Sequence, residues 1–63
     1  MYRNFEKIIK EKGITAYAVA KETDLSPVVF SDWKSGKSKP KADKLLKIAR
    51  FLGVPVEELI EEE

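Results

Sequence analysis

From Lys34 to Lys41 the chain reads Lys-Ser-Gly-Lys-Ser-Lys-Pro-Lys, which sets four ammonium groups and two hydroxyls close together. Cations, hydroxyl donors and the exposed amides of a short loop, Gly36 to Pro40, are the chemistry of phosphate contact. The net charge of +1 hides how localised this is. Between Asp32 and Arg50 lie seven basic residues against two acidic ones, whereas Glu57 to Glu63 holds five glutamates with nothing to offset them. A basic middle in a near-neutral chain suits a polyanion held on one face; lysines solvated on exposed helix faces are the competing explanation. Lys37 and Lys39 lie in the loop and read as phosphate contacts. Lys44, Lys47 and Arg50 fall on the outer face of a helix, where solvation is the default.

Other chemistries have little to work with. The chain contains no cysteine and no histidine, so disulfides, thiolate metal sites, the commonest metal ligand and the commonest general base are all missing. Carboxylates alone remain, and they cluster towards the end of the chain instead of around a pocket. The expectation is a protein that is not an enzyme, with no metal, no cofactor and no evident small-molecule site. Apolar runs are far shorter than the roughly 20 residues that span a bilayer. Charge appears within three residues of the start where a secretory signal would carry an apolar core. No membrane partner and a cytoplasmic location are expected.

The basic loop must be presented by helices. Apolar residues recur at helical spacing almost throughout, and no segment alternates as a half-buried strand does. The expected fold class is therefore all-α, one domain over residues 1–63. All three glycines stand where a helix should stop, Gly13, Gly36 and Gly53, as residues that accept a left-handed conformation do. Helix one is expected from Tyr2 to Lys12, with Met1, Tyr2, Phe5, Ile8 and Ile9 on one stripe. Thr15 can cap a second helix, Ala16 to Thr23. Ser26 followed by Pro27 is a cap plus a first-turn proline and starts a third, which runs to Ser35. Only Thr23-Asp24-Leu25 connects these two, so they must cross steeply. Helix four, about Ala42 to Leu52, buries Leu45, Ile48, Ala49 and Leu52 with Leu46 at the margin. A short fifth begins near Val56.

Within helix three, Val29, Phe30 and Trp33 share one arc, leaving Pro27, Val28, Ser31, Asp32, Lys34 and Ser35 on the remainder. Trp33 reads as a core anchor and not as a base-stacking platform. Phe51 falls between Lys44 and Lys47 on the wheel of helix four, outside the buried stripe. Either it packs against the last helix or Pro55, or it joins Leu59 and Ile60 in a symmetric dimer patch. Glu61 to Glu63 read as a solvated tail.

Taken in order, Ile14-Thr15, Val19-Ala20, Leu25-Ser26, Trp33-Lys34-Ser35-Gly36-Lys37-Ser38-Lys39-Pro40, Leu45-Leu46-Lys47-Ile48-Ala49, Leu52-Gly53-Val54 and Glu57-Glu58-Leu59 resemble the Cro/cI-type (XRE) helix-turn-helix family of phage and bacterial repressors. The likeness covers nearly the whole chain. It implies a compact five-helix, lambda-repressor-like domain whose helix-turn-helix spans about residues 16–35, with the third helix in the major groove and dimers on pseudo-palindromic operators. It further implies that Thr15, the amide end of helix two at Ala16 and Tyr17, Lys34, Ser35, Lys37, Ser38 and Lys39 hold phosphates. Pro27, Val28, Ser31 and Asp32 are then the residues that face base edges.

The chain departs from the pattern at three places. Asp24 stands where glycine is usual in the turn, Ala16 where a glutamine often touches phosphate, and Pro27-Val28 where glutamine or arginine is common. Val28 could pack on a thymine methyl and Asp32 could accept from a cytosine amino group, but no arginine is placed for guanine. Modest specificity with a large phosphate and shape component is expected. The likeness implies a transcriptional regulator, a phage or mobile-element repressor acting by promoter occupancy. The alternative is a protein-interaction module, antitoxin-like or an anti-repressor partner, that keeps the fold with a weakened reading face.

Overall fold

Leu45, Ile48, Ala49 and Leu52 recur at helical spacing and are all buried; they form the floor against which the rest of the chain packs. The computed structural model describes residues 1–61 and contains five helices: α1 (Tyr2–Lys12), α2 (Ala16–Thr23), α3 (Pro27–Ser35), α4 (Ala42–Leu52) and α5 (Glu57–Ile60). No strand occurs among the described residues. The first four helices have the bounds expected from the sequence, with glycine closing α1, α3 and α4 and Thr15 and Ser26-Pro27 starting α2 and α3. The core is one cluster drawn from every helix, with Phe5, Ile9, Val19, Ala20, Phe30, Trp33 and Leu59 joining the four residues of α4. Helix α2 packs on both α3 and α4, and α5 packs on α1.

Helices α1 to α4 end in the same way. A residue in the left-handed region closes each one: Gly13, Asp24, Gly36 and Gly53. The next amide then reaches back to a carbonyl five residues earlier, as in Ile14 N–H to Ile9 O at 3.0 Å, Leu25 N–H to Ala20 O at 2.9 Å and Val54 N–H to Ala49 O at 3.1 Å. This closure satisfies carbonyls that a helix end would otherwise leave unpaired. Ile14, Leu25 and Val54 also pack against the core, so each closure is fastened by an apolar contact. Asp24, at φ 59°, is the one residue other than glycine with positive φ among those described. Aspartate tolerates that region better than most side chains, which is why the turn forms without the usual glycine.

An aromatic cluster joins α1 to α3. Phe5 lies 5.2 Å from Phe30 and 5.3 Å from Trp33 between ring centroids, and Tyr2 meets the Trp33 ring edge-on at 5.5 Å. Trp33 is only 3% exposed, as a core anchor requires. Val29 shares its arc but stays half-buried, because the start of α3 stands out from the body. Asn4 donates to the Glu61 carbonyl and ties α1 to the segment beyond α5.

One expectation is overturned here. Leu59 is wholly buried at 0% exposure and cannot belong to a dimer patch, since α5 turns that side chain into the core to cover α1. Phe51 and Ile60 remain exposed. Of the tail, Glu61 is exposed; Glu62 and Glu63 lie outside the described residues.

Trp33→Ala should cost about 3–5 kcal/mol as a large core truncation, which equals much of the stability a domain this small holds. Denaturant unfolding followed by far-ultraviolet circular dichroism checks this. Trp33→Phe removes an indole N–H that meets no acceptor and should remain folded with a much smaller loss.

Candidate nucleic-acid interface

The two helices of the motif begin in chemically different ways. At the start of α2, Thr15 is extended (φ −109°, ψ 159°) and its hydroxyl accepts from the Ala18 amide at 3.1 Å; the Val19 amide donates to the Thr15 carbonyl at 3.1 Å. The amides of Ala16 and Tyr17, the first two of the helix, are left to point out of its end. Together with the positive end of the helix dipole they favour an anion. At the start of α3 no comparable donors exist. Pro27 has no N–H, the Val28 amide donates to Ser26 Oγ at 3.2 Å, and the Val29 amide donates to the Ser26 carbonyl at 3.0 Å. One end offers donors and the other offers apolar surface.

A cleft of about 250 Å³ lies where these helices meet the beginning of α1, lined by Tyr2, Ala16, Tyr17, Pro27, Phe30, Ser31 and Lys34. Three residues expected at phosphates, Ala16, Tyr17 and Lys34, are thereby brought together with two expected at base edges, Pro27 and Ser31. Thr15 caps α2 just outside the cleft. Val28 and Asp32 continue the surface of α3; Val28 is 60% exposed and Asp32 half-buried. Tyr17, at 69%, is the most exposed of the large hydrophobic side chains. Phe51 and Ile60 are not part of this cleft.

The loop after α3 is built more tightly than its sequence suggests. The Asp32 carbonyl accepts from the Lys37 amide at 2.9 Å, from the Ser38 amide at 3.3 Å and from the Ser35 hydroxyl at 3.2 Å. The exposed amides expected of Gly36 to Pro40 are therefore turned inward at Lys37 and Ser38, because closing α3 takes priority over leaving them free. Ser35 likewise directs its hydroxyl proton to a backbone carbonyl. Pro40 is buried and pins the far end of the loop. What the loop presents outward are the side chains of Lys37, Ser38 and Lys39, all exposed, on a backbone held by those hydrogen bonds.

Tyr2 was readable from the sequence only as part of the buried stripe of α1. It lines the cleft together with Ala16 of α2, a pairing that no local spacing reveals. Burial first, and the charge of Glu6 second, raise the Tyr2 hydroxyl above its ordinary value of 10.0.

The model of a helix-turn-helix family matches residues 5–59, and the chain belongs to that family, the Cro/C1-type (XRE) helix-turn-helix proteins. Its five-helix fold is the lambda-repressor-like fold. The family is one of DNA-binding domains of transcription regulators and is not enzymatic. Searches of the curated proteins and of the solved structures returned no match. No helix among the described residues is long and apolar enough to cross a membrane.

The raised Tyr2 value has a checkable consequence. A group whose folded-state value lies above its unfolded value favours folding below the unfolded value and loses that contribution as pH climbs through the folded one. Stability of the native chain should therefore fall as pH rises past about 10. Tyr2→Phe should show a shallower decline over the same range. Urea midpoints measured between pH 8 and 11 decide the matter.

Proposed function

We propose that this protein is a sequence-specific regulator that binds double-stranded DNA with α3 in the major groove and acts by occupying a promoter, as a repressor of a phage or mobile element does. The observation that supports this reading best is the division of donors around the cleft. Free amides at the start of α2 and the ammonium of Lys34 face one side, where a phosphate backbone would run. The apolar start of α3 faces the groove floor between them. Ala16 and Tyr17 act through backbone amides, with Thr15 fixing the geometry of that end, so the absence of a glutamine at position 16 removes one contact and leaves the anion site intact. Lys37, Ser38 and Lys39 reach a second stretch of backbone from the pinned loop, and Ser35 serves there by exchanging its carbonyl partner for a phosphate oxygen. Pro27, Val28, Ser31 and Asp32 face base edges.

Replacing Lys37 and Lys39 together with alanine should weaken binding to every duplex by a similar factor. It should also reduce the slope of log affinity against log salt by about 2, since each phosphate contact contributes a slope near 0.9. Titrations of a fluorescent duplex at several salt concentrations measure both quantities. The competing role, a protein-interaction module that has lost its reader, predicts no duplex binding even at low salt.

The protein acts as a homodimer on DNA, with Phe51 and Ile60 at the contact between copies. Two half-exposed side chains are far short of the 1,200–2,000 Å² typical of a stable interface, so pairing depends on adjacent half-sites instead of preceding binding. Phe51→Lys should therefore leave the free chain monomeric, as before, yet abolish cooperative occupancy of two half-sites in a footprint titration. Unchanged cooperativity would place the contact elsewhere.

A further inference from the structure

A protein that reads guanine needs donors, and α3 has no unengaged donor at its base-facing positions. Pro27 lacks an N–H, and the Val28 and Val29 amides are both committed to Ser26. The Ser31 hydroxyl donates to the Val28 carbonyl at 3.2 Å, so a base acceptor must draw that proton away from the carbonyl, whereas its lone pairs face outward without such a cost. The carboxylate of Asp32 accepts and does not donate. What remains outward is one large apolar group, Val28, followed along the helix by acceptors.

Each base edge of the major groove answers this surface differently. Guanine shows only acceptors, N7 and O6, which find no free donor here and face a carboxylate. Cytosine and adenine show amino donors, and thymine alone shows a methyl group. We propose that α3 recognises thymine methyl groups through Val28 and base amino groups through Ser31 and Asp32, and discriminates against guanine on the strand it reads because its acceptors are left unpaired. This rests on the proposed binding of duplex DNA and names the chemical features of the base pairs it selects. Exclusion is part of the mechanism, since an unmet acceptor pair across a dry contact disfavours the wrong base more than any single attraction favours the right one. Lys34 and Tyr17, the nearest side chains able to donate, line the cleft beside the amide end of α2 and belong to the phosphate side.

The experiment begins with duplexes enriched by the native chain from a random library. Each thymine is then replaced singly by uracil, which removes only the methyl, and each guanine by 7-deazaguanine, which removes only the N7 acceptor. Affinity should fall about fourfold at the thymine that meets Val28, the worth of one buried methyl. In Val28→Ala that loss should shrink towards nothing at the same position alone. Every 7-deazaguanine duplex should bind as the parent does. Duplexes that bind well yet ignore every uracil, or that weaken on loss of a guanine N7, would overturn the proposal while leaving DNA binding intact. A library that fails to enrich although random duplex is bound has the same meaning. No binding to any duplex would overturn the functional reading itself and this inference with it.

Discussion

Phe5 sits at the centre of an aromatic group formed with Tyr2, Phe30 and Trp33, and the position of α3 depends on it. A helix of nine residues is marginal by itself in water, because nucleation costs several ordered residues before hydrogen bonds repay them. Its stability must come from the arc it buries. Phe30 and Trp33 supply that arc and lie one turn apart, so they fix the rotation of the helix as well as its depth. Rotation is what function needs, since a turn of about 100°, the step from one residue to the next, would exchange Val28 and Asp32 for Val29 and Trp33 on the exposed side. Burial of two rings thus determines which side chains remain outside.

The helix closures show where this chain departs from its own rule. After Gly13, Asp24 and Gly53 comes an apolar residue that packs on the core, Ile14, Leu25 and Val54. After Gly36 comes Lys37, which is exposed. The backbone bonds at that closure are as short as elsewhere, with Lys37 N–H to Asp32 O at 2.9 Å, and the Ser38 amide and Ser35 hydroxyl add to the same carbonyl. Extra hydrogen bonds stand in for the missing apolar fastener. A fold that breaks one local rule and compensates next to it usually does so at a functional position, and here the released position carries a cation.

Most of the architecture was readable because it is local. Capping residues, a first-turn proline and left-handed closures act within five residues of one another, and they set the ends of α1 to α4 and the starts of α2 and α3 without reference to the rest of the chain. Leu59 was misplaced because α5 is a single turn; four residues carry no periodicity, and only its packing on α1 decides which side is inside. The inward turn of the Lys37 and Ser38 amides was missed for a related reason. Composition marks that loop as polar and basic but does not say that one carbonyl, that of Asp32, gathers its donors. The cleft requires Tyr2, Ala16 and Pro27 from three helices, and no sequence spacing connects them.

In the proposed complex, affinity and selectivity have separate physical origins on this surface. Cations and free helix amides act on a phosphate backbone that is the same for every sequence, so they hold the duplex without distinguishing one from another. The start of α3, as proposed, does the reverse, because a surface without free donors gains little from any base yet is penalised by the wrong ones. Such a division permits rapid, salt-sensitive binding to any duplex before the bases are tested. It also explains how a chain with an apolar Pro27-Val28 at its reading edge can keep the function of its fold. Reading by exclusion needs a helix held at a fixed rotation, since a mobile one would rotate a donor or its own backbone into place. The aromatic seat beneath α3 and the selectivity of its outer face are therefore one requirement met on two sides of the same helix.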